Sequence, residues 1–244
     1  TALLLLLVVS TMRASPSTPS TTSPASSARV ARRRVDAVVA RRPNCLSENT
    51  GGDVSPSTLA SRARRGTERW LRDWIVGMNL CPFARPAMTS TFAIETVGAG
   101  ARESGEYARV VTREISRLMA CSFGEPATTL VVFEEGCVGD WSTFMDGAVR
   151  EAEVMCEEMT DGEVTVVAFH PQAAFDGESA CGNYTSRSPL PTVHLLRAVD
   201  VDRAETSWYR DEDREDIRER NVEYLSALGL TELKRRFARL YGET

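Results

Sequence analysis

The stretch "TTLVVF" at residues 128–133 decides the fold class, because it is β-branched and almost wholly apolar. A strand of this composition is typical of a sheet that is covered on both faces. The stretch "VTVVAF" at 164–169 has the same character, and "TFAIETV" at 91–97 is also typical of a strand. We therefore expect three strands of one sheet in these three places.

Stretches with helical spacing of apolar residues lie between these strands. The stretch 104–120 carries one apolar stripe, and the stretch 140–159 begins with Asp140 in a capping position. Strand, helix, strand, helix, strand is the order of a parallel sheet with right-handed crossovers. The sequence therefore predicts an α/β fold, with one sheet of three to four mostly parallel strands flanked by helices. A ferredoxin-like α+β arrangement is the alternative, because periodicity does not reveal strand order.

Further elements are expected before and after this region. The stretch 55–80 has apolar residues at helical spacing, which predicts a helix with one buried face. The stretch "TVHLLRA" at 192–198 is either a short fourth strand or part of a helix. Two amphipathic helices are expected at about 213–227 and 231–241, with Gly229 as the break between them. The C-terminal part of the chain is therefore predicted to be helical.

Residues 1–50 differ in composition from the rest of the chain. They are rich in Ser, Thr, Ala and Arg, and their acidic residues are Asp36 and Glu48. Such a stretch cannot bury a core and is typical of an organelle transit peptide. We expect it to be disordered and to direct the protein to the plastid stroma, with the mitochondrial matrix as the alternative. Residues 51–244 are expected to form a single globular domain.

Charge and hydropathy restrict the partners of this body. Removing the seven arginines and two acidic residues of 1–50 from the totals of 29 and 34 leaves 22 basic and 32 acidic residues. An acidic body is not expected to bind nucleic acid. The apolar run at 2–9 is well short of the ~20 residues that cross a bilayer. We therefore expect a soluble mature protein without a membrane partner.

The cysteines and the single lysine exclude several common sites. No two of the six cysteines form a CxxC pair, so neither a structural zinc site nor a thioredoxin motif is indicated. Lys234 lies in an amphipathic helical pattern, which disfavours a phosphate-binding loop and Schiff-base chemistry. A metal site of two histidines and one cysteine is compatible with ligand preferences, although the three residues are dispersed in sequence.

Cys81 and the only two histidines, His170 and His194, are the candidate reactive groups. His170 directly follows the third predicted strand, and ligands gather beyond the carboxyl ends of parallel strands. Because Pro171 follows it, the backbone of His170 is held extended at the strand end, which suits a general acid or base. The alternative is a histidine that is hydrogen-bonded to a loop carbonyl. Cys81 is either a nucleophile or a small apolar residue that fixes a turn. His194 reaches the same pocket if Val193 faces the core, or is a structural histidine.

Four motifs, taken in order, carry a family resemblance: "WIVGMNLCPFARP" (74–86), "AFHP" (168–171), "NYTSRSPLPTVHLLR" (183–197) and "IRERNVEYLSALGL" (217–230). They resemble the uncharacterised bacterial and plastid family known as domain of unknown function 1415, over about residues 67–229. The resemblance implies marked positions and no reaction. Those positions are Asn79, Cys81, Pro82, Phe83, His170, Pro171, Asn183, Tyr184, Arg187, Ser188, Pro189, Pro191, His194, Arg197 and Asn221. Leu190 stands where the family usually has an aromatic residue, which argues against stacking there.

The arginines around His194 suggest the chemistry of a ligand. Arg187 and Arg197 carry guanidinium groups, which match carboxylate and phosphate oxygens two at a time. A small anionic molecule is therefore an expected partner, and internal ion pairs with Asp and Glu are the alternative. The long loop 172–189 has no periodicity, and such loops are often functional. The residues expected to bind a ligand are Asn183, Tyr184, Arg187, Ser188, His194 and Arg197.

Three functions remain open from the sequence. The first is an enzyme that acts on a small anionic metabolite, with His170 as general acid or base and Cys81 as nucleophile. The second is a non-catalytic protein that binds a small anion or assists assembly, and the third is a metal-binding protein. The sequence indicates no cofactor, substrate or oligomeric state.

Overall fold

The computed structural model of the chain describes residues 56–210 and 216–241. The predicted targeting segment at 1–50 lies outside these residues, as does the start of the helix predicted at 213–227. Within the described part, one four-stranded sheet is packed against helices on both faces. The helices and strands, in chain order, are α1 (Pro56–Arg69) continuing as a π-helix (Trp70–Val76), α2 (Ala84–Met88), β1 (Thr91–Val97), α3 (Glu106–Ala120), β2 (Ala127–Phe133), α4 (Trp141–Phe144) continuing as a π-helical turn (Met145–Val149), α5 (Arg150–Thr160), β3 (Val164–Phe169), a 3₁₀ turn (Gly182–Thr185), β4 (Thr192–Arg197), α6 (Ala198–Trp208), α7 (Ile217–Leu228) and α8 (Leu230–Tyr241).

The sheet is mixed, with the order β1-β2-β4-β3. Strands β1 and β2 pair in parallel, whereas β4 lies antiparallel between β2 and β3. The prediction of a mostly parallel sheet was therefore wrong, and this order does not confirm the ferredoxin-like alternative. The reason is the connection after Phe169: the chain returns through the loop 172–189 without a crossover helix, so it enters β4 from the edge at which it left β3.

Each strand alternates its side chains between two apolar layers. On the face that we call the α1 face, Leu130 and Val132 pack with residues of α1 and α8. On the opposite face, the α3 face, Val131 and Phe133 pack with residues of α3 and α5. Every residue of β2 is buried, which confirms the prediction of a strand covered on both sides.

The end of the first helix positions the "NLCPF" motif. The π-helix ends shortly before Asn79, whose φ of 52° is a left-handed conformation that asparagine tolerates better than most residues. The side-chain amide of Asn221, on α7, donates a hydrogen bond to the Leu80 carbonyl at 2.7 Å. This bond ties the turn to α7 and holds Cys81 at the α1 face of the sheet.

The two C-terminal helices confirm the predicted break at Gly229. This residue has a φ of +77°, a region that glycine adopts without strain, and it separates α7 from α8. The carboxylate of Asp216 accepts a hydrogen bond from the Glu219 backbone at the start of α7. Leu233 and Phe237 of α8 are buried against the α1 face, so this helix completes the apolar layer there.

Candidate functional site

His170 lies at the end of β3, where the chain passes into the long loop. The backbone N–H of Gln172 donates to its Nδ1 at 3.0 Å, so Nε2 carries the proton and donates to the Gly139 carbonyl at 3.2 Å. The ring stacks on Phe144, with centroids 5.4 Å apart. Burial lowers the pKa of His170, while the Gly139 bond and the Asp140 charge oppose that shift. His170 is therefore a neutral imidazole with both ring nitrogens in use.

His194 lies in the middle of β4 and points to the α1 face. The Thr128 hydroxyl donates to the Leu195 carbonyl at 2.9 Å, so it accepts the Nε2 proton of His194 at 2.5 Å. Nδ1 is buried and has no hydrogen-bond partner among the described residues. Burial lowers the pKa of His194 to about 3. The histidine is therefore neutral at physiological pH, with one buried lone pair facing no donor from residues 56–210 or 216–241.

Cys81 and His194 line the same small cavity, and His170 does not. The cavity holds about 30 Å³ between α2 and the sheet, and its other walls are mainly apolar. That volume suffices for about one or two water molecules. His170, in contrast, contacts Phe144 in the apolar layer of the α3 face. The structure thus brings Cys81 together with the other histidine, and leaves Cys81 and His170 on opposite faces of the sheet.

Several of the predicted ligand-binding residues hold the long loop in place. Asn183 is buried, and its side-chain oxygen accepts a hydrogen bond from the Phe175 backbone at 3.0 Å. The Ser188 hydroxyl donates to the Leu190 carbonyl at 2.5 Å. Tyr184 is buried with its ring 5.5 Å from that of Phe237. These contacts fix the loop against the α1 face.

Arg187 is anchored at one point and otherwise unpaired. Its Nε donates to the Ala173 carbonyl at 3.3 Å, and its guanidinium carbon lies 4.4 Å from the centre of the Tyr184 ring. No residue in the described ranges accepts a hydrogen bond from its terminal nitrogens. Burial raises the pKa of Tyr241 to about 12, and the charge of Arg187 opposes this rise. Arg187 is therefore near enough to Tyr241 for its charge to act on the hydroxyl.

Arg197, the last residue of β4, donates hydrogen bonds from all three of its guanidinium nitrogens. Its Nε donates to the Asp200 carboxylate at 2.7 Å, and its terminal nitrogens donate to the carbonyls of Cys121, Ser122 and Glu125. The side chain of Arg197 is 6% exposed, so solvent has little access to it. These bonds hold the segment that follows α3 against the end of β4. The structure does not bring Arg197 near His170.

A cleft lies at the edge of the sheet where β1, β2 and β3 end and β4 begins. We call it the carboxyl-edge cleft; its volume is about 320 Å³, and Tyr241 closes one side. Its walls are Glu135, Gly136, Val138, Gly139, Asp140, His170, Pro171, Gln172, Pro189, Leu190, Pro191 and Tyr241.

Part of this edge can be predicted from the sequence. Glu134 and Glu135 directly follow β2, and the rule that ligands gather at strand ends places them beside His170. Glu134 is 8% exposed, and burial raises the pKa of its carboxyl group. Tyr241 carried no signal, because its place in the cleft depends on how α8 packs. Neither glutamate nor the tyrosine was among the predicted site residues.

Two general properties of the described residues bear on function. No group of three or more His, Cys, Asp or Glu side chains in residues 56–210 and 216–241 is arranged to hold a metal ion. No helix in these ranges has both the length and the apolar character needed to cross a membrane.

Comparisons with known proteins give a family and no relative of established activity. Neither a curated protein nor a solved structure matches the sequence significantly. A family model does match, over residues 62–235, and it covers all four motifs on which the resemblance rests, including "NLCPF" and "TVHLLR". The family is described as a protein of unknown function, DUF1415, and the chain belongs to it.

Proposed function

We propose that the protein binds a small anionic molecule at the carboxyl-edge cleft. Arg187, whose charge acts on the wall residue Tyr241, is the group that attracts the anion. The observation that carries this proposal is the state of Arg187: one nitrogen is anchored on Ala173, and the terminal nitrogens have no acceptor among the described residues. A half-buried guanidinium held in this way is ready to bind a carboxylate or phosphate through two parallel hydrogen bonds.

The surroundings of Arg187 favour a ligand over an internal ion pair. Arg197 uses its nitrogens on Asp200 and on backbone carbonyls, whereas Arg187 meets no carboxylate in the described part of the chain. Tyr241 lines the cleft and is close enough for the charge of Arg187 to affect its pKa. Because the pKa of Tyr241 is about 12, its hydroxyl stays protonated, and it donates to the Ser188 carbonyl at a long 3.5 Å, a bond that it would exchange for one to an anion.

Two carboxylates at the cleft work against an anion and therefore sharpen the test. The carboxylate of Asp140 caps α4, since it accepts a hydrogen bond from the Thr143 backbone N–H at 3.0 Å. Glu135 is exposed and weakens the attraction of the cleft for anions. Removing the Glu135 charge is expected to tighten anion binding, while removing the Arg187 charge is expected to weaken it.

Isothermal titration calorimetry of the full chain with phosphate, acetate and succinate tests the proposal. We expect one of these anions to bind the wild type, at least tenfold more weakly to Arg187→Gln, and more tightly to Glu135→Gln. Arg72→Gln is the matched control, because Arg72 is exposed and paired with the neighbouring Asp73. Equal affinities for the wild type and Arg187→Gln would overturn the proposal.

We favour binding over covalent catalysis because Cys81 and His170 contact opposite faces of the sheet. The enzyme with His170 as acid or base and Cys81 as nucleophile stays a prediction, with less geometric support. Site-resolved iodoacetamide labelling from pH 5 to 9 separates the two functions. Cys81 is 3% exposed, so we expect it to label only as fast as the protein opens. Rapid labelling below pH 7 would restore the catalytic hypothesis.

We also propose a plastid stromal location, which rests on the composition of residues 1–50. A fusion of residues 1–60 to a fluorescent protein, expressed in plant cells, tests it directly. Fluorescence in plastids is expected. Fluorescence in mitochondria would support the alternative address, and diffuse fluorescence would contradict both.

A further inference from the structure

A second cavity adjoins the carboxyl-edge cleft on the side of α1. Its volume is about 80 Å³, and we call it the Gly66 cavity. Four wall residues belong to both cavities, namely Glu135, Pro189, Leu190 and Tyr241. The other walls of the Gly66 cavity are Leu59, Arg62, Ala63, Gly66 and Leu240. The two cavities therefore adjoin at Tyr241, the residue on which the Arg187 charge acts.

Gly66 keeps this cavity open. It lies inside α1, where glycine is less favourable than alanine because it loses more backbone freedom on folding. Apart from the adjoining residues of α1, no described atom would come within 4 Å of a Cβ atom built on Gly66. Packing within the described part of the chain therefore does not require glycine here. The missing side chain leaves space that a ligand can occupy.

The walls of the Gly66 cavity favour an uncharged occupant. Arg62 and Glu135 have opposite charges, and both are exposed. Tyr241 is neutral, because burial raises its pKa to about 12. The remaining wall residues are apolar. The cavity therefore has no net charge and offers aliphatic surface, which suits a hydrocarbon group.

We propose that the Gly66 cavity binds the aliphatic chain of the anion whose charged group is attracted by Arg187. This inference rests on the anion site proposed for Arg187 and adds the class of ligand, which is a monocarboxylate with a short unbranched chain. Since one water molecule needs about 10–15 Å³, a cavity of about 80 Å³ has room for a chain of a few methylene groups.

Isothermal titration calorimetry of the full chain with acetate, butanoate and hexanoate tests the proposal. Burial of one methylene group corresponds to a factor of about four in affinity. We therefore expect hexanoate to bind the wild type about tenfold or more tightly than acetate, with butanoate in between. Equal affinities for the three acids would overturn the proposal and leave the anion site of Arg187 intact. If none of the three binds, both proposals are wrong.

Gly66→Met tests where the chain lies. The added side chain fills the open space, so we expect hexanoate to lose about fivefold or more in affinity, while acetate changes by less than about twofold. Unchanged acetate binding also shows that the variant is folded. Gly124→Met is the matched control, because a Cβ atom on Gly124 also meets no described atom within 4 Å beyond its chain neighbours. Gly124 precedes β2, at the edge of the sheet away from the cleft. Equal hexanoate affinities for Gly66→Met and the wild type would contradict the proposal.

Hexanedioate distinguishes an uncharged chain from a second charged group. It is as long as hexanoate, but its far carboxylate would lose hydration among apolar walls and would face the Glu135 charge. We expect hexanedioate to bind about fivefold or more weakly than hexanoate. Equal or tighter binding of hexanedioate would show that Arg62 compensates the second carboxylate, and would contradict the proposed class of ligand.

Discussion

Arg197 and Arg187 lie near opposite ends of β4, and the chain uses their guanidinium groups differently. Arg197 is 6% exposed and donates to Asp200 and to the carbonyls of Cys121, Ser122 and Glu125. Arg187 donates once, to a loop carbonyl, and keeps its terminal nitrogens free of acceptors in the described part. A group whose donors are all used stabilises the fold, whereas one with unused donors is available to a ligand. The comparison therefore separates a structural arginine from a candidate binding arginine.

The largest effect is expected for Arg197→Ala. The substitution leaves Asp200 buried without its main partner and three carbonyls without a donor, so we expect a loss of about 3–5 kcal/mol in the free energy of unfolding. Urea denaturation measures it. Arg203→Ala is the matched control, because Arg203 also contacts Asp200 but is 46% exposed. If Arg203→Ala lowers the free energy of unfolding by more than about 1 kcal/mol, or Arg197→Ala lowers it by less, the two arginines do not differ in their contribution to stability as we expect.

The same contrast shows what sequence can and cannot predict. The strands at 128–133 and 164–169 were predicted within one residue, because their apolar content depends on burial alone. Periodicity also predicted that Val193 and His194 face opposite sides. The direction of β4 was not predicted, since it depends on the path of the loop before it.

The roles of the site residues were harder to predict, because they depend on contacts distant in sequence. Both arginines lie in the same motif, at 183–197, yet the carbonyls that accept hydrogen bonds from Arg197 belong to the segment that follows α3, which is distant in sequence. Whether Cys81 and His170 meet was left open for the same reason: the alternation of side chains along β3 puts His170 on the face away from Cys81. Residue type indicated which side chains can bind a ligand, and packing determined which of their hydrogen-bond donors have no acceptor in the described residues.

The next effect concerns Thr128, which provides the acceptor for His194. In Thr128→Val the Nε2–H of His194 loses its only partner in the described residues while it stays buried. We expect a cost of about 1–3 kcal/mol, because an unsatisfied buried donor bears its full desolvation penalty. Thermal or urea unfolding measures it. Thr128→Ser keeps the hydroxyl and is expected to recover most of the loss; equal losses in both variants would point to packing instead.

His194 also predicts how stability depends on pH. The pKa of His194 is about 3 in the folded protein and about 6.5 in the unfolded chain. Between these two pH values the unfolded chain therefore binds a proton at His194 and the folded protein does not. The stability that this difference provides is full above pH 6.5 and is lost progressively toward pH 3. Between pH 7 and 5 we expect the wild type to lose about 2 kcal/mol more than His194→Gln, whose amide still reaches Thr128. Parallel urea curves for both proteins at both pH values would contradict this.

The smallest effect on stability is expected for Arg187→Gln. The substitution removes one hydrogen bond to Ala173 and the contact with the Tyr184 ring, but it leaves no buried carboxylate unpaired. We therefore expect a change of at most about 1 kcal/mol in urea denaturation, against about 3–5 kcal/mol for Arg197→Ala. Anion binding should show the opposite order, with Arg187→Gln losing affinity. If Arg187→Gln instead unfolds the protein as readily as Arg197→Ala does, its guanidinium is structural, and the carboxyl-edge cleft loses its candidate anion-binding group.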